Sequence, residues 1–461
     1  MPATKETPSL RVLFSGLAQA LGLIALLLGH ALKEPFWIDV CVGATIAATL
    51  LRWPDLARLP RIFLIGGIAS FVFVEAVFPD QLSNLTKALQ QGAAFSCLLA
   101  SLGLLRHPVR RSGTIRAGAS YLLSFPSRKR YAAVNAGCHF LSLLFNVGII
   151  PLLGDLLGKK KVEASEKAHD QSLLLAAMRG AVLMTVWSPM GLGFAIVTTS
   201  IPALDPVVFV ALAFTTAMLL MAVTCLTAKD ANLSLPVRES AQPGLPPTPL
   251  VFVLMVCGGL LLAVIAVHHE FGWPFIAATV LVLPAFTAAW LTLENRGGNE
   301  TLPETGRALL HCMGDMRAES AIFLSANVIG AALVLCIRNQ AVWHGLQSSA
   351  TPMLAVLMAC LAIVPLAGAL LIPHSIFVVL TAQLFGDSPL GQQHPLALGL
   401  ALTLGWAMAI AVSPISAMAL TTGKLCDTRS HVVGFHWNRR FVATLFCLSA
   451  LLVTGLYSAG L

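Results

Sequence analysis

Two serine–proline pairs, Ser188-Pro189 and Ser413-Pro414, interrupt apolar stretches in the two halves of the chain. A proline inside a helix removes a backbone donor and clashes with the preceding turn, so each pair is predicted to break its helix. At such a break, the start of a half-helix favours an anionic group, and freed carbonyl oxygens can bind a cation. The two serine hydroxyls add neutral donors and acceptors. This chemistry suits a carboxylate or similar anion that is moved together with Na⁺ or H⁺.

The two pairs belong to one repeated pattern, in which a glycine stands eight residues before the serine. Gly180 precedes Ser188 and Gly405 precedes Ser413, so equivalent positions are 225 residues apart, 413 minus 188. One interruption in each half is the pattern of a carrier whose binding site lies between repeats. The alternative is a pair of ordinary proline kinks, with the small residues serving only close helix packing.

Further small polar residues lie beside the breaks and at two predicted turns. Gly191 and Ser416 follow the breaks, whereas Asn146, His374 and Ser375 lie at turns. Asn146 either coordinates a cation through its carbonyl or stabilises its turn, and His374 either takes up a proton or is a satisfied core residue. The predicted substrate-binding set consists of Asn146, Ser188, Pro189, Gly191, His374, Ser375, Ser413, Pro414 and Ser416.

The composition places these breaks in a membrane. Of 461 residues, 57% are hydrophobic and only 11% are charged, with a mean hydropathy of +0.82. Soluble domains carry roughly a quarter charged residues. The net charge of +8 comes from short basic clusters between apolar runs, a pattern of cytoplasmic loops rather than of nucleic-acid binding. The chain is therefore predicted to be an all-α polytopic membrane protein.

The apolar runs define the elements that must position the breaks. A full crossing takes about twenty residues, so the runs 37–52 and 373–386 are marginal. Runs that enter or cross the bilayer are predicted at 12–32, 37–52, 62–78, 86–105, 131–154, 171–202, 205–227, 250–268, 272–293, 318–338, 352–371, 373–386, 395–426 and 439–459.

The positions of Lys and Arg predict an inverted topology. The run 131–154 is expected to turn back as a re-entrant hairpin near Asn146-Val147-Gly148, because this returns Lys159, Lys160 and Lys161 to the cytoplasm. The segment 352–386 forms a second hairpin from the opposite face, turning near residues 372–375. The broken runs 171–202 and 395–426 then cross in opposite directions.

The resulting organisation is an inverted-topology repeat with two re-entrant hairpins and two Pro-broken helices. Its predicted parts are N-terminal membrane spans at 1–61, a first repeat at 62–228, a cytoplasmic linker at 229–249 and a second repeat at 250–461. The linker is rich in proline and polar residues, as expected between halves. The run 318–338 has no obvious counterpart in the first half.

Several further features allow two interpretations each. The segments 109–124 and 303–317 mix basic and apolar residues and are either helices on the cytoplasmic leaflet or connecting loops. Ionisable residues inside apolar runs are few, chiefly Glu75, His139 and Arg179. Arg179 either steers an anion near the cytoplasmic mouth or anchors its helix at the interface. The threonine pairs that follow the breaks are expected to serve packing.

This organisation resembles the ion transporter superfamily, which includes divalent anion/sodium symporters and the large membrane subunit of TRAP carriers. The resemblance covers about residues 62–459 and rests on Asn146, on Pro373-His374 and on the two Ser-Pro pairs. It implies the same architecture and an elevator-like movement of the hairpins and broken helices. It implies no particular substrate.

The motifs that the sequence lacks disfavour an enzyme. The sequence has no phosphate-binding glycine loop with Lys-Ser/Thr, no HExxH, no Cys/His metal spacing and no GxSxG around either Ser-Pro pair. No cofactor or metal is predicted, and the only ion expected is a coupling Na⁺ or H⁺. The ten cysteines are scattered and indicate buried apolar residues rather than a disulfide framework.

The predicted function is ion-coupled secondary transport, as symport or antiport, of a small organic anion by alternating access. The predicted location is a bacterial-type inner membrane. The expected partners are the solute, the lipid bilayer and, as a candidate, a second copy of the chain in a homodimer, with no nucleic acid. The alternative is a non-transporting subunit of an envelope assembly or a membrane-embedded lipid-modifying enzyme.

Overall fold

The structure is a computed structural model that describes residues 10–158, 164–228, 246–294, 302–347 and 352–461. Every α-helix of these ranges is numbered here in chain order. The first part of the chain contains α1 Leu10–Leu32, α2 Pro35–Leu51, α3 Arg58–Val77, α4 Leu82–Arg111, α5 Gly113–Leu123, α6 Ser127–Phe145, α7 Ile149–Leu157, α8 Ala164–Met184, α9 Leu192–Ser200 and α10 Pro206–Thr227. The second part contains α11 Thr248–Phe271, α12 Phe275–Glu294, α13 Leu302–Gly314, α14 Arg317–Arg338, α15 Ala341–Gln347, α16 Met353–Ala369, α17 His374–Phe385, α18 Pro389–Gln393, α19 Pro395–Val412, α20 Ala417–Leu425 and α21 Arg439–Ser458.

The described residues confirm an all-α polytopic membrane protein. Each apolar run predicted from the sequence is helical, and ten segments among the described residues are long and apolar enough to cross a bilayer. Helices α2 and α17 are shorter, as expected for the two marginal runs, and α16 is also shorter, which the length of its run did not predict. The two segments of mixed character are helices, α5 and α13, and their place on the leaflet stays a prediction. Residues 229–245 of the predicted linker and Lys159–Lys161 lie outside the described residues.

The helices form two compact units, each of which takes segments from both halves of the chain. The first unit comprises Met1–Arg111 and Leu262–Asn339, and the second comprises Ser112–Leu261 and Gln340–Leu461. Helix α11 contributes to both. These units differ from the four predicted parts of the chain, and the boundaries of the two repeats stay a prediction.

The first unit is organised around the pair α4 and α14. Helix α14 also packs against α3, and α4 also packs against α12, so the two central helices make an equivalent pair of contacts. Gly92 allows the close approach, because a Cβ there would lie 2.9 Å from the Leu324 Cα. The packing therefore gives the run 318–338 a counterpart, helix α4, that the sequence analysis did not find.

The second unit contains both turns and both broken helices, in two sets of five helices. The first set is α6 to α10, and the second is α16, α17, α19, α20 and α21. Helix α6 packs on α8 as α16 packs on α19, and α10 contacts both α6 and α8 as α21 contacts both α16 and α19. The sets also interlock, since α7 packs on α20 and α17 packs on α9. Each of these contacts thus has an equivalent in the other set, as expected of an internal repeat.

Both predicted hairpin turns are present as sharp changes of direction between helices. Asn146 ends α6 with a positive φ of +50°, and asparagine adopts positive φ more readily than most residues other than glycine. The second turn spans Leu370–Pro373, with Leu371 at a φ of +63°. It lies slightly before the predicted residues 372–375, because Pro373 is the N-cap of α17 rather than the middle of the turn.

The repeated glycines mark the points where each broken helix crosses the first helix of its neighbouring hairpin. A Cβ at Gly180 would collide with the Asn135 carbonyl oxygen of α6. A Cβ at Gly405 would lie 3.2 Å from the Leu361 carbonyl oxygen of α16. Small residues let helix backbones approach closely in a membrane, where no hydrophobic force drives helices together. The glycine of the repeated sequence pattern therefore occupies an equivalent packing position in both sets.

Replacing Gly180 by alanine is expected to destabilise the protein by about 1–3 kcal/mol, because the added Cβ must displace the backbone of α6. Thermal unfolding of the purified protein in detergent measures this loss. Gly258→Ala is the matched control, since no described atom lies within 4 Å of the position of its Cβ. An equal or higher unfolding temperature for Gly180→Ala than for Gly258→Ala would contradict the close crossing.

Candidate functional site

The first break separates α8 from α9 and is buried within the second unit. Ser188 is fully buried, and its hydroxyl accepts a hydrogen bond from the Met190 amide at 3.2 Å. Its carbonyl oxygen accepts from the Gly191 amide at 2.8 Å. Pro189 is also buried. The Ser188 side chain therefore stabilises the turn that the proline requires.

The start of α9 has no side-chain cap and packs closely against α19. Gly191 is its N-cap and has no side chain that could accept a hydrogen bond from the first-turn amides. A Cβ at Gly193 would lie 2.9 Å from the indole of Trp406, so α9 rests directly on α19. The N-terminal end of a helix carries a partial positive charge, which favours an anion.

The second break separates α19 from α20 and differs from the first in its hydrogen bonds. Ser416 caps α20, since its hydroxyl accepts from the Ala419 amide at 3.1 Å. Ser413 and Pro414 are buried, and Ser413 is 0% exposed. The Ser413 hydroxyl has no hydrogen-bond partner among the described residues. Ser188 and Ser416 each accept a hydrogen bond from an amide of their own turn, whereas the Ser413 hydroxyl does not.

Trp406 joins the second hairpin to the first broken helix. The ring of His374, the first residue of α17, lies 4.7 Å from the Trp406 ring in an edge-to-face arrangement. Ser375 beside it is buried. The structure therefore brings His374 to the tryptophan on which Gly193 packs. Asn146 lies at the turn of the other hairpin and is partly exposed.

His139 holds α6 against α8 immediately before the first break. Its ring is fully buried, and Nε2 accepts a hydrogen bond from the Trp187 indole at 2.9 Å. Nδ1 therefore carries the proton and donates to the Gly180 carbonyl oxygen at 3.0 Å. With both ring nitrogens used, this histidine of the apolar run is a structural residue in the described arrangement.

Arg179 and Asn438 connect the two broken helices. Arg179 of α8 is 8% exposed, and its Nε donates to the Asn438 Oδ1 at 3.1 Å. The Asn438 amide group donates in turn to the Ala411 carbonyl oxygen of α19 at 3.2 Å. Asn438 was missed by the sequence analysis, because it lies in a basic loop between apolar runs and only tertiary contacts distinguish it. Arg179 is therefore part of a hydrogen-bonded link between α8 and α19, rather than an isolated residue at an interface.

The threonines that follow the breaks bond mainly within their own helices. Thr198 and Thr199 donate to carbonyl oxygens of α9, and Thr421 donates to the Ala417 carbonyl oxygen of α20. Thr422 faces the Met178 sulfur of α8 at 3.8 Å. These contacts agree with the packing role expected for the threonine pairs.

The two serines are expected to respond oppositely to alanine substitution. Ser188→Ala removes a cap from the Met190 amide and should cost about 1 kcal/mol of stability. Ser413→Ala removes a buried hydroxyl without a partner, so stability should stay the same or rise. Thermal unfolding of the two variants beside the unmodified protein measures the difference. A clear loss of stability in Ser413→Ala would show that its hydroxyl is bonded in the fold.

Comparison with known proteins relates the fold to solved structures. The chain matches no protein-family model and no curated protein sequence. Its structure is similar to the crystal structure of the Alcanivorax borkumensis YdaH transporter, with a TM-score of 0.55 at 15% sequence identity. The match covers 87% of this chain and 98% of that chain. The two chains therefore share a fold over most of their lengths.

Proposed function

We propose that this protein is an ion-coupled secondary transporter of a small, carboxylate-type anion in a bacterial-type inner membrane. The observation that carries the proposal is a pair of Ser-Pro breaks in helices that pack on each other within one unit. At the second break, the buried Ser413 hydroxyl has no partner among the described residues. Discontinuous helices of this kind form the binding sites of many transporters. The shared fold with a known transporter supports the same conclusion.

The Ser413 hydroxyl is the best-supported contact for the solute or its coupling ion. Burying a hydroxyl without a hydrogen bond costs about 1–3 kcal/mol. Such a hydroxyl is expected where it contacts a ligand or an ion during the function of the protein. The hydroxyl can donate to a carboxylate or accept from a protonated group, and it can coordinate Na⁺. Ser188 contributes less directly, because its hydroxyl already supports the first turn.

The polarity of the broken helices favours an anion together with a cation. The start of α9 has no side-chain cap and offers amide hydrogens, whereas the end of α19 offers carbonyl oxygens. An anion at the first and Na⁺ or H⁺ at the second would each be stabilised by the helix dipoles. The two charges would also offset each other within the protein interior.

The hairpins and broken helices would supply the moving part of the transporter. All of them belong to the second unit, so one compact body carries every predicted site residue. The resemblance to the ion transporter superfamily implies an elevator-like movement of such elements against a scaffold of the remaining spans. In this proposal the solute travels with the second unit.

A ligand screen tests the proposal on the purified protein. Succinate, citrate, glutamate and benzoate are added with and without Na⁺ at two pH values, and thermal unfolding is followed. A ligand at a hundred times its Kd should stabilise the protein by about 2.7 kcal/mol. Uptake of the stabilising anion into proteoliposomes should then require the matching ion gradient. A lack of stabilisation across a broad anion panel would favour the non-transporting alternative.

Substitution of Ser413 by alanine separates binding from folding. Uptake and ligand-linked stabilisation should both be lost, while the ligand-free unfolding temperature stays unchanged or rises. Ser449→Ala is the matched control, because Ser449 is also fully buried, and its hydroxyl also has no partner among the described residues. Ser449 lies in α21, away from both breaks. Equal uptake by the two variants would refute the assignment of Ser413.

A further inference from the structure

A cavity of about 470 Å³ lies within the second unit, between the end of α10 and the start of α21. Its lining includes Arg179, His436, Arg439 and Arg440, and the described lining residues include no carboxylate. The volume falls in the range of small-ligand sites, roughly 300–1,000 Å³. Three arginines around one cavity produce a strongly positive local potential, which favours an anionic occupant.

Arg179 forms a rigid, buried inner wall of this cavity. Its Nη1 donates to the Tyr131 hydroxyl at 2.7 Å, and its Nη2 donates to the Trp437 carbonyl oxygen at 3.0 Å. The guanidinium also lies 5.3 Å from the centre of the Phe441 ring. These two contacts orient the guanidinium within the cavity wall. Because the side chain is already ordered, little conformational entropy is lost when an anion binds.

The outer part of the cavity is exposed and basic. His436, Arg439 and Arg440 are exposed and line the cavity together with the buried Arg179. Thr224 also lines the cavity, but its hydroxyl donates to the Leu220 carbonyl oxygen of its own helix at 2.8 Å. The arginines are therefore the main donors that an anion would meet.

The position of the cavity corresponds to the end of two membrane spans. Both α10 and α21 are long and apolar enough to cross a bilayer, and the cavity lies where one ends and the other begins. Leu226, in the last turn of α10, is 86% exposed and suited to contact with lipid tails. The Lys and Arg pattern predicts that this end faces the cytoplasm. Basic pockets at such positions suit the headgroups of anionic lipids.

We propose that this cavity binds a phosphate-type anion, and that its source is the headgroup of an anionic phospholipid. Guanidinium groups form paired, charge-assisted hydrogen bonds with phosphate oxygens. The buried Arg179 would contact the phosphate, and Arg439 and Arg440 would enclose it from the membrane surface. The inference does not depend on the proposed transport function, because Ser413 does not line the cavity and the cavity draws on different side chains.

Lipid titration of the purified protein in detergent tests the proposal. Phosphatidylglycerol, phosphatidylcholine and inorganic phosphate are added separately, and bound molecules are counted by native mass spectrometry. The protein should retain phosphatidylglycerol, with phosphatidylcholine binding at least tenfold more weakly. Arg439→Gln/Arg440→Gln should weaken phosphatidylglycerol binding about tenfold or more, since two charge-assisted contacts are lost.

Lys424→Gln/Arg429→Gln is the matched control, because it removes two exposed basic residues outside the cavity lining. This variant should bind phosphatidylglycerol as the unmodified protein does, and both variants should unfold at similar temperatures. Equal weakening in the two double variants would overturn the cavity as the site. Binding of inorganic phosphate that phosphatidylglycerol does not displace would overturn the lipid headgroup as its source.

Discussion

The fold depends on burying two interrupted helices inside protein. Away from water, each unsatisfied backbone group costs several kcal/mol, so a broken helix in a bilayer must find partners within the chain. Here the partners are mostly local: Ser188 bonds to the Met190 amide and Ser416 bonds to the Ala419 amide. The Ser-Pro pair of each break is buried by the surrounding helices.

Glycine and one buried arginine bring the interrupted helices together. Gly180 allows α8 to cross α6 at backbone distance, and Gly193 allows α9 to rest on Trp406. Arg179 and Asn438 add a hydrogen-bonded link from α8 to the end of α19. Close packing and buried polar contacts supply the stability that hydrophobic burial cannot supply between membrane helices.

The polar residues of the second unit therefore divide into two kinds. His139, Ser188 and Asn438 are bonded within the fold and hold helices in place. The Ser413 hydroxyl is buried without a partner among the described residues, which makes it the best candidate for contact with a transported species. The basic cavity at Arg179 is a separate feature, at the end of the spans rather than at a break.

The sequence by itself determined the helices, their approximate ends, the four interruptions and the repeated Gly and Ser-Pro pattern. These follow from local rules, since apolar length defines a membrane helix, while proline and turn-forming residues such as asparagine and glycine interrupt it. Only the tertiary structure decided that α4 is the counterpart of α14, that Ser188 is bonded while Ser413 is not, and that Asn438 pairs with Arg179. The physical reason is that each depends on contacts between residues far apart in the chain, such as 179 and 438, which hydropathy and motif spacing do not encode.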